Sequence, residues 1–320
     1  MSGHATSRNA SSRNAVPRKP AGAGRPAPAA AQPPQKPKRV LSPETQNLTL
    51  SAWDMARTRK EIPDTSRGQV MTLRAHQRLV ASFEKERNIP ELDRSFLRVQ
   101  EGADKAVLLI HGVSTSPGSL KDLAIQLYDA GLNVYVLRLP DYGTPEDTIS
   151  EVSWESSLQQ ARQCFQLLAR GGGPVHVVGM GFGATLALHL ALAENVSSLV
   201  LLSPAIMPRE NFWQRLLVRL KLHRLRFVYN RLGWTADLME GMDKARGRIG
   251  KIRVPIYAAQ CEDDDRAHPN SLRFLQRKAR NKHSRFRVYP EGGHAILAHH
   301  GKSGLYEDII EFCGGVTSTD

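Results

Sequence analysis

From about residue 96 the chain alternates short apolar runs with amphipathic ones, and this alternation constrains the fold more than any other feature. The apolar runs fall at 106–111 (AVLLIH), 133–138 (NVYVLR), 174–179 (PVHVVG), 197–203 (SSLVLLS), 254–260 (VPIYAAQ) and 285–289 (RFRVY). Most are nearly continuous in apolar residues, as expected of strands covered on both faces. Helical stretches are expected at about 118–130, 152–170, 182–193, 270–280 and 303–313. Strands of this kind alternating with helices predict an α/β class, a mostly parallel sheet flanked by helices. Residues 205–251 interrupt the alternation and are too long for a loop. They are expected to form a helical cap inserted over the carboxyl ends of the strands, the edge where open α/β sheets bind ligands. The expected core is then 96–204 together with 252–316.

The flanking regions differ in character. Residues 1–43 are rich in Ala, Pro, Ser, Arg and Gly and carry Arg8, Arg13, Arg18, Lys19, Arg25, Lys36, Lys38 and Arg39 with no acidic residue. A segment with so little apolar surface cannot offset its ordering entropy, so a disordered basic tail is expected. An organellar transit peptide has a similar composition, but the many prolines fit a flexible extension better. The tail supplies eight of the +13 formal charges of the 320-residue chain, so the folded part is only mildly basic. Residues 44–95 read as an N-terminal helical extension. Val70, Leu73, Val80 and Phe83 share one helical face, Gln77 interrupts it, and Asn88 with Pro90 closes the segment.

Cys164, Cys261 and Cys313 are far apart and odd in number. They suggest neither a disulfide framework nor a zinc site, and a reducing compartment fits them best. The sequence shows neither a secretory signal nor an apolar run of about 18 residues, so a cytoplasmic protein, at most peripheral to a membrane, is expected.

The sequence Gly179-Met180-Gly181-Phe182-Gly183 closes the strand at 174–179 and opens a helix. Its context is that of the G-x-S-x-G elbow, in which a serine nucleophile stands at the tip of a sharp strand-to-helix turn. The outer glycines answer a steric need, since side chains there would collide with neighbouring elements. The tip residue often has a strained backbone, costing a non-glycine residue about 1–3 kcal/mol. Glycine at 181 relaxes the turn and removes the nucleophile in one change. Three other features complete the set: His111-Gly112-Val113 after the first strand, the acid-bearing loop Gln260-Cys261-Glu262-Asp263-Asp264-Asp265, and Gly292-Gly293-His294 before the last helix.

With these residues in view, 106–313 resembles the bacterial carboxylesterase and monoacylglycerol lipase family of α/β-hydrolases. The matching stretches are VLLIHGVSTSPGSL, LRLPDYGT with the later Trp154, PVHVVGMGFGATLAL, PIYAAQCEDDDRAHPNS and RVYPEGGHAIL. The resemblance implies an α/β-hydrolase fold with a helical cap and assigns the catalytic acid to Asp264 and the base to His294. It places the oxyanion-hole amides at Val113 and Phe182. The nucleophile position falls on Gly181, where the family pattern fails.

A triad without its nucleophile cannot form an acyl-enzyme. The expectation is therefore a non-catalytic ligand- or protein-binding pseudo-hydrolase, without cofactor or metal. The alternative is hydrolysis of carboxylic esters by a serine-independent route, in which Asp264 and His294 activate water. Ser114 and Ser116 are expected to do turn chemistry, Cys261 to be structural and His111 to be structural rather than catalytic. Asp263 and Asp265 are expected to be solvated, as are His299 and His300, which with His294 and nearby Glu291 match no metal-site spacing. Gly171-Gly172-Gly173 ends a helix and is not a phosphate loop. The partner expected under the cap is an acyl or other small apolar ligand. The basic tail and a basic amphipathic helix at about 209–232 suggest a protein partner or an anionic surface. Specific nucleic-acid binding is not expected.

Overall fold

The computed structural model describes residues 66–113, 115–140, 142, 153–207 and 236–315. The tail and the basic segment at 209–232 lie outside these residues, as does Ser114.

A seven-stranded sheet forms the centre: β1 (Phe96–Arg98), β2 (Ala106–Ile110), β3 (Asn133–Leu137), β4 (Val175–Met180), β5 (Ser198–Leu202), β6 (Ile256–Cys261) and β7 (Arg285–Tyr289). Their order is β1-β3-β2-β4-β5-β6-β7, with every pairing parallel except β1 with β3. The expected α/β-hydrolase architecture is thus observed. Strands β2 to β6 are buried along their whole length, as their continuous apolar runs require. β1 did not register in the sequence, because three residues at a sheet edge carry too short a pattern.

The helices are α1 (Ser66–Glu86), α2 (Lys121–Asp129), α3 (Trp154–Ala169), α4 (Phe182–Ala191), α5 (Ala236–Arg246), α6 (Asn270–Lys278), α7 (Ile296–His300) and α8 (Tyr306–Gly315). Alternate side chains of the strands face two apolar layers. Leu108, Ile110, Val177 and Leu201 pack with α3, α4 and α5. Val107, Leu109, Val178 and Val200 pack with α2, α7 and α8. Leu238, Met242 and Ala245 of α5 are buried within the first layer, so the end of the expected cap segment contributes to the core.

Two expected helices begin later than the sequence suggests. Residues 117–120 form a 3-10 turn before α2, and a π turn at Gly301–Leu305 separates α7 from α8. The extension helix α1 ends at a Schellman-type cap. Asn88 takes φ +55°, and the amides of Asn88 and Ile89 donate to the carbonyls of Lys85 and Glu84. Its inner face holds Val70 and Leu73 as expected, but also the buried polar residues His76 and Glu84.

Candidate functional site

β3 lies on one flank of β2, and the chain then crosses from β3 to β4 on the other flank, reversing the direction in which the sheet grows. Such a reversal opens a crevice at the carboxyl ends of the two central strands. The loop after β2 and the turn after β4 meet there.

The turn after β4 is as tight as its glycines suggest. A Cβ on Gly179 would lie 2.4 Å from the Gly183 carbonyl oxygen, and one on Gly183 would lie 2.1 Å from that of Ile110. Neither position can carry a side chain without moving backbone. Gly181, at the tip, has φ +57° and ψ −120°. Its amide donates to the Leu202 carbonyl at 2.9 Å, and its carbonyl accepts from the amides of Ala184 and Ala205, both at 3.1 Å. The tip is therefore fixed to β5 and to the start of α4.

His294 faces this tip. An ideal Cβ on Gly181 would lie 2.9 Å from His294 Nε2 and 3.5 Å from its Cε1. The imidazole therefore stands in the space a tip side chain would enter. On its other edge, Nδ1 lies 2.9 Å from Asp264 Oδ1. A carboxylate only accepts, so Nδ1 carries the hydrogen, and Nε2 is the ring nitrogen turned toward Gly181. Asp264 is fully buried. Its Oδ1 also accepts from the amides of Arg266 and Ala267, at 3.0 and 2.9 Å, and its Oδ2 accepts from Gln260 Nε2 at 3.2 Å. Gln260 in turn accepts from the Leu272 amide, tying the acid loop to α6. This support was visible in the sequence only as a polar residue ending an apolar strand.

Asp263 is exposed but not merely solvated. It accepts from the amides of Gly292 and Gly293 at 3.1 and 2.8 Å, and these bonds hold its carboxyl below the usual range. It thereby clips the loop that delivers His294. Asp265 is exposed, as expected. His299 is exposed too, but His300 is half-buried, stacked on Tyr289 with ring centres 4.1 Å apart and bonded to the Glu291 carbonyl. No group of three or more His, Cys, Asp or Glu side chains among the described residues could hold a metal.

Of the two residues expected to supply oxyanion amides, Phe182 follows the tip, and Val113 follows Gly112, whose Cα would lie 3.6 Å from a Gly181 Cβ. Phe182 opens α4, where a helix leaves its first amides unpaired. No protein acceptor among the described residues receives the Val113 amide. The loop carrying Val113 is anchored from behind by His111. This ring is fully buried, and burial lowers its pKa to about 4, so it stays neutral. Its Nε2 accepts from the Leu139 amide at 3.1 Å, which leaves Nδ1 to donate to the Gly112 carbonyl at 2.8 Å. Tyr142 packs edge-on to His111 and donates its hydroxyl to the Val113 carbonyl. Its place in LRLPDYGT contributed to the resemblance, but nothing there separated this role from a loop tyrosine.

Substitute nucleophiles fare poorly in this geometry. Ser116 serves turn chemistry, its carbonyl accepting from Ser119. Cys261 is buried, and burial followed by repulsion from Asp263 and Asp264 pushes its thiol up to about 12.

Sheet order, elbow and the His–Asp pair together define a hydrolase-type α/β protein. The alpha/beta hydrolase family model matches residues 107–302, and the chain belongs to that family. A carboxylesterase from Bacillus subtilis is 19% identical over 229 residues, covering 66% of this chain and 93% of the esterase. A thermostable monoacylglycerol lipase from a Bacillus species is 29% identical over a shorter stretch, covering 28% of this chain and 36% of the lipase. Among solved structures, one reported with the metagenome-derived lipolytic enzymes LipS and LipT superposes with a TM-score of 0.62 at 15% identity. It covers 71% of this chain and 99% of its own. The Paleococcus ferrophilus monoacylglycerol lipase gives 0.57 at 17% identity, covering 69% and 97%. No helix among the described residues is long and apolar enough to cross a membrane.

Proposed function

We propose that this chain is a pseudo-hydrolase that binds an acyl or other small apolar ligand, or a protein partner, at a site descended from an esterase or lipase. The observation that carries the reading is the elbow tip. Gly181 offers no nucleophile, and His294 Nε2 stands 2.9 Å from where a side chain there would begin. Val113, Phe182 and His294 then act as ligand contacts: the two amides donate to a ligand oxygen, and His294 Nε2 meets the ligand beside it. An acyl carbonyl or carboxyl group matches such a set. The basic tail and the 209–232 segment would add a protein or anionic-surface contact.

A second reading rests on the intact pair of His294 and Asp264, joined at 2.9 Å. In it, His294 removes a proton from water held near Gly181, and that water attacks an ester carbonyl whose oxygen lies against the amides of Val113 and Phe182. Hydrolysis of p-nitrophenyl butyrate by the natural chain, compared with His294→Ala, decides between the two. Turnover lost in His294→Ala establishes the hydrolytic reading. Equal background rates in both leave the binding reading standing.

A further inference from the structure

One set of polar groups outside the site has no part in the proposed chemistry, yet it connects α1 to the loop behind Val113. We propose that Glu84 and Arg138 are positioning residues for that loop, so that the N-terminal helix sets the direction of the Val113 amide. The functional meaning of this control rests on reading Val113 as an oxygen-binding amide.

Glu84 and Arg138 form an ion pair with Arg138 Nε 3.2 Å from Glu84 Oε1, both side chains only 3% exposed. Ser95, just before β1, reinforces the pair. Its amide donates to both Glu84 oxygens at 3.1 and 3.0 Å. Its hydroxyl donates to Glu84 Oε1 at 2.8 Å and accepts from the Arg138 amide. Glu84 is thus the shared acceptor of an edge segment and of Arg138. Arg138 then donates through Nη1 to the Tyr142 carbonyl, and the Tyr142 hydroxyl donates to the Val113 carbonyl. The bonds run without a break from α1 to the carbonyl of the residue whose amide faces the site.

The neighbouring peptide is fixed from the same segment. The Val113 amide shares a rigid peptide plane with the Gly112 carbonyl, which accepts from His111 Nδ1 at 2.8 Å and, at longer range, from the Thr115 hydroxyl and amide at 3.2 and 3.3 Å. His111 is set by the Leu139 amide and by the Tyr142 ring, both adjoining Arg138 in sequence or contact. Displacement of the Arg138–Tyr142 segment therefore rotates both peptides flanking Val113. Phe182 belongs to α4 and is held through Gly181 to β5, so it lies off this path. A charge-assisted pair kept dry suits such a role, since it favours one geometry over a continuum of others.

The test observes the two amides separately. Glycine labelled at its carbonyl carbon with 15N-valine marks the Gly112–Val113 peptide, and the same glycine with 15N-phenylalanine marks Gly181–Phe182. The first pairing recurs only at Gly315–Val316 and the second nowhere else in the sequence. Tyr142→Phe removes one hydroxyl at a partly exposed position. Glu84→Gln removes the charge, and Glu84→Gln with Arg138→Met replaces the pair by neutral groups if the single variant does not fold. Expected in each is a shifted Val113 signal, with the Phe182 signal in place. An unmoved Val113 signal in Tyr142→Phe and in the folded Glu84 variant overturns the proposal. So does equal movement of both signals, which would mark general loosening. The measurement needs neither ligand nor turnover, so its outcome is separate from that of the hydrolysis assay.

Discussion

Gly181→Ser tests whether one residue separates this chain from a working esterase. The structure sets its cost. A new Cβ would lie 2.9 Å from His294 Nε2, where ordinary contact begins at 3.4 Å, so the imidazole must retreat by about half an ångström. The backbone stays at φ +57°, a strain of about 1–3 kcal/mol for a non-glycine residue. This is a modest share of a stability of about 5–15 kcal/mol. The benefit follows from triad arithmetic. Loss of a serine nucleophile costs about 10⁶ in turnover. A misplaced group costs about 10² per ångström. A serine beside a base displaced by about half an ångström should therefore give about 10⁵-fold more p-nitrophenyl butyrate hydrolysis than the parent. The serine should also react with a fluorophosphonate. Gly181→Ala supplies the strain control, with a similar loss of stability and no activity. The gain should vanish in Gly181→Ser/His294→Ala. A folded Gly181→Ser protein that hydrolyses nothing above the parent refutes the reasoning, because base, acid and amides would then not act on the tip.

Other expectations follow from the same geometry. Gly183→Ala should lose about 3 kcal/mol or fail to fold, since its Cβ would lie 2.1 Å from a backbone oxygen; denaturant titration measures this. Burial holds the pKa of His76, His111 and His176 at about 4 against 6.5 in the unfolded chain. The unfolded state thus binds more protons below pH 6.5. Stability should fall as pH drops from 6.5 toward 4, by up to about 3 kcal/mol for each histidine, and Tm measured across that window should fall steeply. A flat profile there would contradict it. All three cysteines are buried with thiols pushed up to about 12, so iodoacetamide at neutral pH should label none of them in the native protein, as read by mass spectrometry. A chain starting at residue 44 should fold like the full chain by circular dichroism.

The sheet was legible because buried parallel strands leave continuous apolar runs, and β2 to β6 all lie within a residue or two of their expected ends. The elbow was legible because its glycines meet a hard steric requirement. Less legible was whatever depends on polar groups buried far apart in sequence. On α1 the apolar face alone predicts Val70 and Leu73, while His76 and Glu84 look like solvated positions. Their burial depends on Tyr135, Ser95 and Arg138, which only the fold brings near. Asp263 and Asp264 are indistinguishable in sequence apart from the family register. In space one clips the Gly292–Gly293 loop and the other receives His294. The closeness of His294 to Gly181 had no sequence signal, because it depends on side-chain placement across the fold.

Retention of motifs is weak grounds for retention of function, since most of them here also serve the fold. Gly179 and Gly183 are required by backbone contact whatever the chemistry. His111 is spent on two backbone hydrogen bonds, and burial keeps it from taking a proton. Asp263 holds a turn. Asp264 accepts from two amides and Gln260 to shape the loop leading into α6, so it would be costly to lose even without its histidine. His294 differs from all of these. Its side chain is 10% exposed, and its one described hydrogen bond is to Asp264. Its Nε2 points at the tip, where an atom to receive it is missing. A histidine with so little to do for the fold, aimed at the elbow, is the residue whose replacement tests for binding or reaction there. The question of function therefore turns on His294, while the glycines and aspartates would persist in a mere scaffold.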